Sequence, residues 1–130
     1  MIKLFYILKY KMKYILSTQI TSFDQIDWID VQNQIGGEVT ELDCECNQIT
    51  SFQHCPNSVI NLDCSYNPIT SFQYLPNSVI KLDCINNQIT TFQHIPNSIT
   101  QLHCDNNQIT SFQHLSNSIT QLDCRDNQIN

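Results

Sequence analysis

From residue 39 to the end of the chain, one phrase returns every 20 residues without slippage. Leu42, Leu62, Leu82, Leu102 and Leu122 form one column, and Cys44, Cys64, Cys84, Cys104 and Cys124 stand two places after them. Asn47 to Asn127, Ile49 to Ile129, Phe52 to Phe112 and Val39 to Ile119 repeat at the same interval. So do Cys55, Leu75, Ile95 and Leu115. A constant period of this length predicts a solenoid, in which each unit buries its apolar edge only against its neighbours.

Within a unit, Leu62 and Cys64 alternate with Asp63 and Ser65, the two-residue period of a short strand with one face inward. We assign the reversal after the strand to the Asn column. Ile69 and Phe72 then return to the core, and Pro76-Asn77-Ser78 turns the second corner. Twenty residues leave no room for a full helix beside the strand, so the return leg is expected to be extended, polyproline-like or 3₁₀.

The phrase "V59xxL62xC64xxN67xI69xxF72xxL75P76xS78" resembles the leucine-rich repeat, L-x-x-L-x-L-x-x-N-x-L with a short tail, with Cys, Ile and Phe in core positions otherwise held by Leu. The match covers residues 39–130, about 70% of the chain. The 20-residue unit and its L-P-x-S tail are similar to the short class of secreted bacterial effectors. Asn- and Ile-rich versions resemble repeat proteins of giant viruses. The resemblance implies a leucine-rich-repeat solenoid with short parallel β-strands on the concave face, extended or 3₁₀ return legs and no long helices in the repeats. It also implies an Asn column that hydrogen-bonds the backbone of adjacent turns. A physical reason supports that last point, because a side-chain amide offers up to four hydrogen-bonding sites to turn groups that Leu would leave unmet.

The cysteines read as packing. Stacked strands lie roughly 4.8 Å apart, whereas a disulfide needs Cβ atoms about 3.8 Å apart. Zinc needs four ligands around one point, and a straight row supplies two at most. Free Cys behaves as a small buried hydrophobe. Cys55 occupies the Leu75 position and is assigned to the core; Cys46 falls outside the column, with its sulfur turned outward by the bend. No cofactor and no metal are expected.

Charge narrows the partners. Lys3, Lys9, Lys11 and Lys13 are four of the six basic residues, so residues 14–130 carry a balance of −10. Nucleic-acid binding needs clustered Lys and Arg and is not expected of this body. No stretch reaches the ~20 apolar residues of a membrane span. The Leu4–Leu8 run is too short for a signal peptide and no small-x-small site follows it. An intracellular protein with reduced thiols is the expectation, cytoplasmic and in a host cell if the effector resemblance holds.

The solvent side of the strands is the family's usual partner surface. By position it carries Asp43, Glu45, Asp63, Tyr66, Lys81, Asp83, His103, Asp105, Asp123 and Arg125. Its column Asp43/Asp63/Asp83/His103/Asp123 places carboxylates ~5 Å apart, at a cost of about 1 kcal/mol per pair in water. Such a row suits a basic protein partner or a cation; a generic acidic face copied by duplication gives the same sequence. Calcium takes six to eight convergent oxygens, and a linear row is not expected to converge. The positions Glu45/Ser65/Ile85/Asp105/Arg125 and Cys46/Tyr66/Asn86/Asn106/Asp126 vary between units on that face, as in a constant frame with a varied recognition patch. His54, Tyr74, His94 and His114 are assigned to the outer wall as polar residues. No Ser or Cys stands beside a His in an activating arrangement, so no catalytic residues are named and no enzymatic activity is expected.

Residues 1–16 place apolar side chains at every even position from Ile2 to Leu16 and all four lysines at odd ones, which predicts a capping strand or hairpin, or a short buried helix. Residues 17–38 read as a degenerate repeat with an insertion around Trp28 and Gly36-Gly37, and residues 39–130 as the array, its last unit incomplete. Ile119, Leu122 and Ile129 would then lie on an open edge, which invites self-association or marks a truncated gene product. The sequence points to a non-enzymatic protein–protein interaction module. The alternative is a substrate-recognition adaptor or effector for a ubiquitin-ligase-type complex.

Overall fold

A polar residue stands on each side of the Leu at the start of every unit, and these three residues form the strands. In a computed structural model, which describes residues 13–15 and 19–130, six three-residue strands form one parallel sheet in sequence order. They are β1 (Lys13–Ile15), β2 (Glu41–Asp43), β3 (Asn61–Asp63), β4 (Lys81–Asp83), β5 (Gln101–His103) and β6 (Gln121–Asp123). Leu42 pairs with Leu62, Leu62 with Leu82, Leu82 with Leu102 and Leu102 with Leu122. The 20-residue sequence period is therefore one turn of a solenoid. Strand-type bonds continue past β2 to β5: the amides of Cys44, Cys64, Cys84 and Cys104 donate to the carbonyls of Asp63, Asp83, His103 and Asp123 at 2.7–2.8 Å.

Six side-chain columns fill the inside of the coil. Leu82, Cys84, Ile89, Phe92 and Ile99 in the middle unit are wholly buried, as are their equivalents Cys64, Ile69, Phe72 and Val79 one turn earlier. Phe72, Phe92 and Phe112 stack nearly parallel, with ring centroids 6.3 Å apart in both steps. Equivalent points on neighbouring strands are only about 4.8 Å apart. A stack spaced more widely at its Phe wall than at its strands bends toward the strands, which places them on the concave side. At the β6 end no turn follows within the chain: Phe112 is 51% exposed, and Leu122, Cys124 and Ile129 are only partly buried.

The Asn column ties the turns together. The Asn67 amide nitrogen donates to the carbonyls of Cys64 and Ser65 in its own turn and of Cys44 in the turn before, at 3.0–3.1 Å. Its oxygen accepts the Ile49 amide at 2.9 Å. Asn87, Asn107 and Asn127 repeat all four contacts one turn further on each time. The reversal itself lies one residue earlier than the sequence suggested. Cys46, Tyr66, Asn86, Asn106 and Asp126 take φ of 53–58°, in the left-handed region. The Asn that follows is buried in four of the five units and reaches across the bend instead of forming it. A second bond crosses at the next residue, where Gln48, Gln88, Gln108 and Gln128 amides donate to Ile20, Ile69, Ile89 and Ile109 carbonyls. Pro68 has no N–H and leaves that rung out of the second unit.

Two tight turns build each return leg. Cys55, Leu75, Ile95 and Leu115 amides bond back to the carbonyls of Phe52, Phe72, Phe92 and Phe112, and between them His54, Tyr74, His94 and His114 hold φ of 66–68°. A positive φ at only the third residue of the turn is the type II pattern, where Gly is usual. The second corner runs from Pro56, Pro76, Pro96 and Ser116 to Val59, Val79, Ile99 and Ile119. There Ser58, Ser78 and Ser118 hydroxyls donate to the carbonyls of Val39, Val59 and Ile99, each at 2.7 Å.

Ahead of the array, Ile20 stands where Ile49 stands in the next turn: its amide bonds Asn47 Oδ1 at 3.0 Å and its carbonyl accepts from Gln48. The echo "QITSF" at 19–23 thus packs as a true repeat leg, with Phe23 wholly buried. The spacing to the next unit is lengthened by a 3₁₀ turn (Phe23–Gln25), closed by a Ser22–Gln25 capping box, and by helix α1 (Trp28–Ile35). Asp27 caps the helix start, Gly36 at φ 75° ends it, and the Trp28 indole N–H bonds the Phe23 carbonyl. The expected capping segment at 1–16 lies outside the described residues except for β1, which pairs with β2 in the register Lys13–Glu41.

All seven cysteines are free. Those at 44, 64, 84 and 104 are wholly buried and Cys55 nearly so, while Cys46 is exposed. Cys44, Cys64 and Cys84 thiols also point at the next turn's carbonyl, 3.2–3.4 Å away. Burial drives these thiols away from ionisation: Cys44, Cys64 and Cys84 are pushed well up, and Cys55 and Cys104 up to about 12. Two outcomes are expected. A thiol reagent at neutral pH should label Cys46 first and Cys124 more slowly, and the other five only after denaturation, as read by mass spectrometry. Asn87→Ala should lower stability in urea unfolding by about 3 kcal/mol, since buried carbonyls and one amide lose their partner, and Asn127→Ala at the more exposed end by about 1 kcal/mol.

Candidate interaction surface on the strand face

The outward side chains of the strands form the expected columns, and the structure gives the Asp column a local task. Asp43, Asp63 and Asp83 each accept the amide two residues on, from Glu45, Ser65 and Ile85, at 3.2, 3.0 and 3.5 Å. This is an Asx-type bond that steers the chain from strand into bend. The spacing of acids along the face therefore has a cause within these three turns.

Between turns the side chains form a lateral network. Asn61 donates to Glu41 at 3.3 Å, Ser65 to Asp83 at 2.8 Å, and His103 Nδ1 lies 3.5 Å from Asp83. At the β6 end Arg125 grips two acids. Its guanidinium bonds Asp105 and Asp123 at 2.9 Å, and its backbone amide bonds Asp105 at 2.7 Å. The hydrogen bonds from Arg125 hold the Asp123 carboxyl below the usual carboxylate range.

The positions named from sequence divide accordingly. Glu45, Lys81 and Arg125 are exposed, as is Tyr66 at the left-handed bend. Asp43, Asp63, Asp83, His103 and Asp123 are half-buried along the floor. Asp105 differs from the expectation: it is 7% exposed, beneath Arg125. Ser65, expected in the varied patch, is likewise buried, because Asp83 draws its hydroxyl inward. Contacts between rows, invisible in a single unit, account for both.

Convergence also departs from the expectation of a straight row. Acceptor atoms of Asp43, Glu45 and Asp63 all lie within 4.8 Å of one another. Three oxygens are half or fewer of those calcium takes. A shallow depression of about 250 Å³ runs beside them, lined by Glu41, Asp43, Asn61, Asp63, Lys81 and Asp83. On the outer wall His54, Tyr74, His94 and His114 are all exposed; the second left-handed column that they form carried no glycine to announce it.

No model of a known protein family matches the chain, and no curated protein resembles it at a significant level. Among the described residues, no helix is long and apolar enough to cross a membrane.

Arg125→Gln should change the acid response. A carboxylate held low stabilises the fold at pH above its ordinary range, and that contribution is lost as pH falls through the lowered value. The gap in urea midpoint between wild type and variant should therefore be wide at pH 6 and narrow toward pH 3. An equal gap at both would mean that Arg125 acts through packing alone.

Proposed function

We propose that the chain is a leucine-rich-repeat interaction module that binds a basic protein segment along its strand face. The observation that carries this reading is the charge of the face at its β2–β4 end. Glu41, Asp43, Glu45, Asp63 and Asp83 stand there with Lys81 as the one described basic side chain. The core columns repeat with almost no variation, while the position two residues after the strand Asp changes from the exposed Glu45 to the half-buried Ile85 to the exposed Arg125. A rigid frame with a varied, charged floor suits recognition of an extended chain, where complementary charge raises association rate and excludes wrong partners. The acids sit on paired backbone rather than on long flexible stems, so little order remains to be gained on binding.

The test uses Asp63→Asn and Asp83→Asn together. Asn keeps an acceptor for the Ser65 and Ile85 amides and so preserves the bend. Affinity for a labelled oligo-arginine peptide, read by fluorescence anisotropy at fixed salt, should fall about tenfold, on the order of 1.4 kcal/mol, with unchanged thermal unfolding. Equal affinity of the folded variant and wild type would refute the reading.

A further inference from the structure

The array keeps its charges to one side. Residues 47–60, 67–80, 87–100 and 107–120 contain no Asp, Glu, Lys or Arg, although a typical globular chain is about a quarter charged. Each of these stretches is the return leg of one turn, so the outer wall carries no charged side chain apart from its histidines. At the tip of each leg two exposed columns stand side by side. One is Gln, at positions 53, 73, 93 and 113; the other is a ring, His54, Tyr74, His94 and His114. The same turn is built four times. The Gln amide bonds the hydroxyl two residues before it at 3.1–3.3 Å, and the ring residue takes φ of 66–68°. Glycine meets that conformation with the least strain, yet none of the four units uses it. Where the column changes, at Tyr74, it keeps a planar ring, and the Gln beside it never changes. On the strand face the same units diversify from acid to Ile to Arg. A strained backbone kept at a repeated, exposed position points to a use for the side chain.

We propose that this wall binds an uncharged, extended polysaccharide of the β-1,4-linked glucan or chitin type, laid along the axis of the coil. A pyranose presents C–H groups on the faces of its ring and hydroxyl or amide groups at its rim. The exposed ring column offers π faces to the first. The Gln column offers donors and an acceptor in every turn to the second. A charged ligand would find no carboxylate, ammonium or guanidinium on these legs. The spacing agrees. Two residues before the ring column, the Phe72, Phe92 and Phe112 centroids are 6.3 Å apart. One sugar of an extended chain advances by about 5 Å, given ordinary bond lengths across the ring, so four turns meet about four or five sugars. Both partners are regular repeats, and a single alignment engages every turn, so weak contacts at single rings reinforce one another. This surface shares no side chain with the strand face, and the proposal does not rest on the binding reading above.

Calorimetric titration of the full chain with cellohexaose and with chitohexaose tests the wall. Binding of at least one of the two is expected, with an affinity that holds from low to high salt because no charges meet. Changing His54, Tyr74, His94 and His114 together to Asn leaves a residue that tolerates the left-handed turn, and affinity should fall by about tenfold or more. Tyr74→Asn alone, with three rings left, should lie between that variant and wild type, and it decides the matter if the fourfold change unfolds the chain. The Asp63→Asn, Asp83→Asn protein should bind the sugar as wild type does. Binding of neither sugar by the folded wild type would overturn the proposal, and so would full affinity in the folded ring variants. Loss of sugar binding in the double Asp variant would move the contact to the strand face and overturn it equally.

Discussion

Everything in this fold depends on the amide of one asparagine per turn. A coil of three-residue strands exposes many backbone groups at each bend, and backbone bonds between turns satisfy only part of them. The column from Asn47 to Asn127 closes that gap, joining the carbonyls that lead into the bend to an amide of the previous turn and, from Asn67 on, to a carbonyl of that turn as well. Because one side chain spans two turns, neighbouring units are held at a fixed pitch. That pitch aligns the Leu, Cys, Ile and Phe columns on top of one another. The apolar burial that stabilises the coil follows from a polar contact that sets its geometry.

The same alignment explains why thiols serve as core here. At Cys44, Cys64 and Cys84 the side chain must be small, apolar and able to face a carbonyl 3.2–3.4 Å away. A thiol satisfies all three demands, and its burial removes the ionisation on which its reactivity depends. Three acids of the strand face are subject to an equally local demand, since Asp43, Asp63 and Asp83 each receive the amide of the residue two places on.

Much of this architecture was legible in the sequence, because period and burial are one-dimensional properties in a solenoid. The Leu-x-Cys alternation marked the strand, the 20-residue interval marked the turn, and the echo "QITSF" marked a leg ahead of the array. What escaped was whatever depends on relations between units. The burial of Asp105 under Arg125 and of Ser65 against Asp83 arises across rows 18–20 residues apart. The convergence of Asp43, Glu45 and Asp63 likewise needs two turns. Helix α1 occupies the stretch read only as an insertion; its Asp27 cap and Gly36 stop were visible but its packing against Phe23 was not. The left-handed residues escaped for a different reason. Glycine is their usual signature, and the chain fills both columns with Cys, Tyr, Asn, Asp and His instead.

Those columns restrict how the surface can diversify. A side chain branched at Cβ is strongly disfavoured where φ is near +55°, and the bend residues 46, 66, 86, 106 and 126 include none. One residue earlier the backbone imposes no such filter, and Ile85 appears among Glu45, Ser65, Asp105 and Arg125. Two adjacent positions that look equally variable in an alignment of the units are thus unequal in latitude. The first position admits side chains branched at Cβ, and the second is drawn from a reduced set.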